Sequence, residues 1–245
     1  MSDFWTLLLL ALLPPFGCIA GALAAELTTV SRRWLSASLH AAVGIAVAVI
    51  AVELMPRALR GAPVWAVAVG FAAGGLAAIL ISRGMTRYQS SLGTHGDKGP
   101  WMVYLAVGSD LFSDGVMVGV GSAVSSGLGL LLAIGQVAGN LPEGFATIAN
   151  FKDAKLARRR RILLATSFVL PALAGAGAGY FVLRGQAELL QYSALAFVAG
   201  LLLVPTVDDV IAEAHDAADT AKVDLALVGG FVLLLLLSRY VGGGA

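Results

Sequence analysis

Eight apolar runs, each close to the length that crosses a bilayer and separated by short polar breaks, set the tightest limit on what this chain can fold into. They cover roughly 4–25, 35–56, 63–82, 101–124, 126–150, 162–183, 187–212 and 223–241. A helix of about 20 apolar residues matches the hydrocarbon thickness of a membrane, whereas a spanning strand needs only ~9–11. Inside lipid every backbone N–H and C=O must find a partner within the protein, which helices do locally. Only 13% of the residues are charged, against about a quarter in a soluble domain. The expected fold is therefore an all-α polytopic membrane protein, with residues 1–245 forming a single eight-helix transmembrane domain.

The basic residues orient it. One set of breaks carries Arg32, Arg33, Arg83, Arg87, Lys98, Lys152, Lys155, Arg158, Arg159, Arg160, Arg161 and Lys222, twelve in all. The opposite set carries four: Arg57, Arg60, Arg184 and Arg239. Short basic loops stay cytoplasmic, so both termini are expected outside, in a cell (inner) membrane. The run Arg158–Arg161 is read as a solvated anchor beside anionic headgroups. MSDFW holds no basic residue, so the first run is read as a retained span and not a cleaved signal. The single cysteine, Cys18, rules out an internal disulfide. No segment interleaves basic and aromatic residues, and no nucleic-acid partner is expected. The remaining partner expected is membrane lipid, and a homodimer is compatible with the pattern.

Shifted by 156 residues, the chain meets itself at several punctuating positions. Pro15 falls on Pro171, Gly21 on Gly177, Gly44 on Gly200, Gly74 on Gly230, and Glu53 on Asp209. Spans 1–3 thereby map onto spans 6–8. The five-span offset is odd, so the two triplets enter the membrane in opposite directions. An inverted repeat of helices 1–3 and 6–8 around a central helix 4–5 pair is the plan of a secondary transporter with a site near the midplane.

That central pair holds the chain's most costly residues. In SDLFSDG, Asp110 and Asp114 stand at i, i+4 on one helical face. In the next span Gln136, Asn140 and Glu143 form a second stripe, and GNLPEG places Pro142 inside an apolar run. A charged carboxylate at the bilayer centre costs about 2.5–3.5 kcal/mol on insertion scales. Neither span contains Lys or Arg, so neutralisation falls to protons, water or a bound cation. Helix glue usually uses Ser, Thr, Asn or Gln; three carboxylates favour a cation site at Asp110, Asp114, Asn140, Glu143 and Gln136. All the donors are oxygens, which suits harder ions and ranks manganese-like ions above zinc. Pro142 also leaves the carbonyl of Ala138 without its helical donor, a further oxygen or a kink point.

Other acids are candidates for a gate or vestibule. Asp208, Asp209, Glu213 and His215 cluster in VDDVIAEAH at the end of the seventh span, where acids oppose the helix dipole. Glu53 in ELMPRAL is either a gate acid or the partner of Arg57 one turn on. His40 and His95 lack spaced partners and are read as ordinary polar residues. An enzyme is not expected: HDAAD (215–219) lacks the two-histidine spacing of a metalloprotease, and no Ser/His or Cys/His pair lies in the spans.

DLFSDG (110–115), GNLPEGFATIAN (139–150), VDDVIAEAH (207–215) and ELMPRAL (53–59) together resemble the ZIP family of divalent metal transporters. The resemblance implies eight helices, outward termini, a metal path between helices 4 and 5, and uptake toward the cytoplasm. It also implies a transported ion such as zinc, manganese, iron, cobalt or cadmium, with no separate cofactor. Several positions depart from the family pattern. Asp110 stands where the family has a histidine, Leu111 where it often has Asn, Gly139 in place of the leading helix-5 ligand, and Leu170-Pro171 where Glu-Pro is common. Those departures imply one reduced site and not two. A proton-linked carrier using the same acids without metal, or a ZIP-like scaffold that no longer transports, is the alternative.

Overall fold

A computed structural model describes residues 2–28, 32–91, 99–214 and 220–241, and among them every regular element is helical. The first span joins α1 (Ser2–Ala11) to α2 (Leu13–Leu27), stepping at Leu12 just ahead of Pro14 and Pro15. The second joins α3 (Arg32–Ala48) to α4 (Met55–Gly61) through a π-helical turn, Val49–Leu54. Pro56 explains that widening. It has no N–H to give, and its ring crowds the carbonyl four residues back, so Met55 bonds to Ile50 O instead. Then come α5 (Val64–Ser91), α6 (Pro100–Val124) and α7 (Ser126–Asp153). The sixth span is α8 (Arg158–Ser167) with α9 (Val169–Leu183), followed by α10 (Glu188–Ala214) and α11 (Thr220–Val241).

Among the described residues, seven helical stretches are long and apolar enough to cross a membrane. The expected fifth span is not one of them. Its helix has the length, 28 residues, but Gln136, Asn140 and Glu143 dilute its apolar run. The four tryptophans support the same membrane placement. Trp5, Trp34, Trp65 and Trp101 are each more than half exposed and sit near the starts of the first four spans, as interfacial aromatics do. The third and eighth spans are the least enclosed, with 17% of their apolar window buried.

Lipid offers little hydrophobic drive between helices, so close backbone approach through small residues carries much of the packing. Spans 1 and 5 meet at Gly17 and Gly21, where an added Cβ would lie 2.5 Å from Val137 O and 1.8 Å from Leu141 O. Spans 6 and 4 meet the same way, with Gly175 against Phe112 O and Gly179 against Val116 O. Spans 2 and 8 lock through Gly44 against Leu227 and Gly230 against Ala41; spans 3 and 7 through Gly74 against Phe197 and Gly200 against Phe71. Spans 4 and 5 are joined by the single residue Ser125, whose side chain accepts from Leu128 N at 3.2 Å and caps the fifth span. The result is two four-helix units: spans 1, 4, 5 and 6, and spans 2, 3, 7 and 8. They meet mainly where span 2 lies along span 5 and span 7 along span 4.

Candidate functional site

The fourth and fifth spans run antiparallel from the Ser125 turn, and their residues pair in register. Gly121 lies by Leu132, Met117 by Gln136, and Asp114 by Asn140. Continued one turn, the same register sets Asp110 opposite Glu143. Asn140 Nδ2 donates to Asp114 Oδ2 at 2.7 Å, and both residues are buried, at 3% and 4% exposure. Asp110 is exposed.

A cavity of about 330 Å3 opens beside this ladder, between the two four-helix units. Asp110, Asp114, Gln136, Asn140 and Glu143 all line it, so the structure brings the five sequence-selected residues onto one wall. The facing wall is apolar: Leu39, Val43, Ala46 and Val49 of the second span, with Leu202 and Pro205 of the seventh. Thr206 is the polar residue there, and its hydroxyl donates to Leu202 O at 2.7 Å. None of the described lining residues is basic. Pro142 also lines the cavity, inside a helix that continues through it. Among the described residues, however, no three His, Cys, Asp or Glu side chains converge as ligands of one ion would. The acids are strung along the wall with amides between them. The arrangement therefore offers a path of oxygen donors, with water completing an ion's shell.

The other selected residues lie elsewhere. Glu53 is buried in the π-helical turn and bonded at both oxygens. Arg57 donates to Oε2 through Nε at 3.0 Å and Nη2 at 2.9 Å, and the Ser238 hydroxyl donates to Oε1. Of its two readings, this geometry matches the partner of Arg57. Asp208 is exposed at the end of the apolar stretch of the seventh span, Glu188–Asp208. The side chains of Asp209 and Glu213, and His215 and His95 altogether, lie outside the described residues. His40 is buried, with Nδ1 against Ser36 O at 2.9 Å.

The Arg158–Arg161 run keeps the exposure of a solvated anchor at Arg158, Arg159 and Arg160, and departs from it at Arg161, whose side chain is largely enclosed. Arg161 grips Glu26 through Nη2 at 2.9 Å and also bonds Leu156 O, while Arg160 stacks over Trp101. Arg158 adds a second, longer contact to Glu26 at 3.7 Å. Only Arg159 has no such contact among the described residues. Glu26 itself was missed in the sequence, because its partner lies 135 residues away and no local spacing announces the pair. Met117 was missed as well. Its place three residues after Asp114 was visible, but an apolar side chain there reads as packing.

A family model described as ZIP Zinc transporter matches residues 89–238, more than half of the chain. No curated protein matches it.

Proposed function

The chain belongs to the ZIP zinc transporter family, a family of metal transporters, and from that premise we propose that it carries a divalent cation along the wall formed by Asp110, Asp114, Gln136, Asn140 and Glu143. The observation that carries this reading is the cavity between the two units: three acids and two amides on one side, apolar side chains opposite, and no basic residue among its described lining. Carboxylates in that setting are costly without a counter-charge, and a passing cation supplies one. Oxygen donors without histidine favour manganese-like ions over zinc, with iron, cobalt and cadmium as further substrates.

Transport runs toward the cytoplasm of the inner membrane, with both termini outside. On the second and seventh spans the cavity's lining, from Leu39 to Val49 and from Leu202 to Thr206, lies in the half nearer the basic breaks, which supports an inward-open state. The inverted repeat taken alone would set triplets 1–3 and 6–8 moving against the central pair. The packing favours a different division. Spans 4 and 5 are locked by backbone contact to spans 6 and 1, so spans 1, 4, 5 and 6 travel together. They slide along the largely apolar face of spans 2 and 7, carrying the three acids and two amides with them. The inverted repeat supports this motion. Adding 156 to the first member of the Gly44–Leu227 contact and subtracting 156 from the second leads to Gly200–Phe71; Gly74–Phe197 leads likewise to Gly230–Ala41. Two equivalent halves permit two equivalent end states.

The dispersal of the acids is the one observation favouring a proton-linked carrier, since titrating groups need not converge. Uptake into proteoliposomes of Mn2+, Zn2+, Fe2+, Co2+ and Cd2+ decides between them. Saturable flux abolished in Asp114→Ala is expected. Proton flux that needs no metal, with no uptake of any ion, would overturn the metal reading.

A further inference from the structure

One turn beyond the Asp114–Asn140 pair, toward the Ser125 turn, the cavity wall holds a contact of unusual polarity. Gln136 Nε2 donates to Met117 Sδ at 3.1 Å, and both residues line the cavity. Met117 is 3% exposed and packed into the main apolar core. A thioether accepts a hydrogen bond but has no proton to give, whereas a side-chain amide has a donor end and an acceptor end. The sulfur therefore selects the amide nitrogen and turns the carbonyl oxygen away from the fourth span. The Gln136 oxygen makes no hydrogen bond among the described residues, and it is not one of the sealed polar atoms that lack one. Asn140 is held in the same sense, by its nitrogen on Asp114.

We infer that Met117 is a positioning residue of the transport path, acting through Gln136: its sulfur fixes the amide so that the deep end of the cavity presents an oxygen to a divalent cation. This rests on the metal reading above. A leucine at 117 would fill similar space yet leave the amide able to turn its N–H groups toward the ion, repelling it. A carboxylate at 136 needs no such orientation, because either of its oxygens can face the cavity.

The test is a double-mutant cycle on the purified full-length protein, titrated with Mn2+ and in parallel with Zn2+. Met117→Leu should weaken binding by about five- to tenfold, the order of one oriented hydrogen bond. In a Gln136→Glu background the same Met117→Leu change should cost nothing. A merely structural methionine would cost the same in both backgrounds, and its effect would appear in the melting temperature. Equal losses in the two backgrounds, or no loss in either, would overturn the inference while leaving the metal path standing. Absence of saturable binding by the parent protein would overturn both.

Discussion

Asp114 and Glu26 are both acids within or at the end of membrane-spanning helices, and the structure assigns them opposite effects on stability. Asp114 is buried with one amide donor and no cation among the described side chains within hydrogen-bonding reach. Removing it removes a desolvation cost. Asp114→Ala should therefore melt at or above the parent temperature in metal-free buffer, while metal uptake falls at least about tenfold, since a charge-assisted ligand is lost. Glu26 is gripped by two guanidinium groups at the end of the first span. Taking one partner from an enclosed ion pair strands the other, so Glu26→Ala should lower the melting temperature by several degrees, at ~2–4 °C per kcal/mol for this chain length. Arg159→Ala, which removes no described contact, should leave it unchanged. Asp114 was legible in the sequence because its cost is local to its own span. Glu26 was not, because its meaning depends on a residue from another helix.

At the scale of elements, glycines divide into those that hold helices together and those that merely sit in them. A Cβ at Gly44 would lie 1.9 Å from Leu227 O, and one at Gly21 1.8 Å from Leu141 O. Gly44→Val or Gly21→Val must push two backbones apart, and circular dichroism on heating should show a large loss of stability or no folded protein. Gly177 has nothing within 4 Å of such an atom. Gly177→Ala should be neutral or stabilising by up to about 0.5–1 kcal/mol, the helix-propensity difference. The repeat had matched Gly21 with Gly177 by position. The packing instead gives the role of Gly17 and Gly21 to Gly175 and Gly179, two residues out of step with the 156-residue shift. Helix existence and approximate ends were readable from hydropathy. The π-helical turn at Val49–Leu54 was not, because it follows from the way Pro56 is accommodated and not from composition.

At the scale of the whole molecule, the division into two four-helix units makes a mechanical prediction. Gly135 of one unit faces Ile45 of the other, with Ile45 Cγ2 3.5 Å from a Cβ built at Gly135. Ile45→Cys with Gly135→Cys should form a disulfide under oxidation, the native Cys18 being buried out of reach. Uptake should stop when the bond forms and return on reduction. Full uptake with the bond in place would mean that the units do not slide past one another. The sequence by itself determined that this is a multi-pass helical membrane protein, and it picked out the five polar residues that share one wall. Apolar length and intramembrane charge are strong local terms that no later packing can hide. Only the tertiary structure decided which helices pack into one unit, that Glu53 is held by Arg57 and Ser238, and that a methionine sulfur accepts from Gln136. Those depend on contacts between residues far apart in the chain, where a glycine, an arginine or a methionine acquires its role from whatever the fold sets against it.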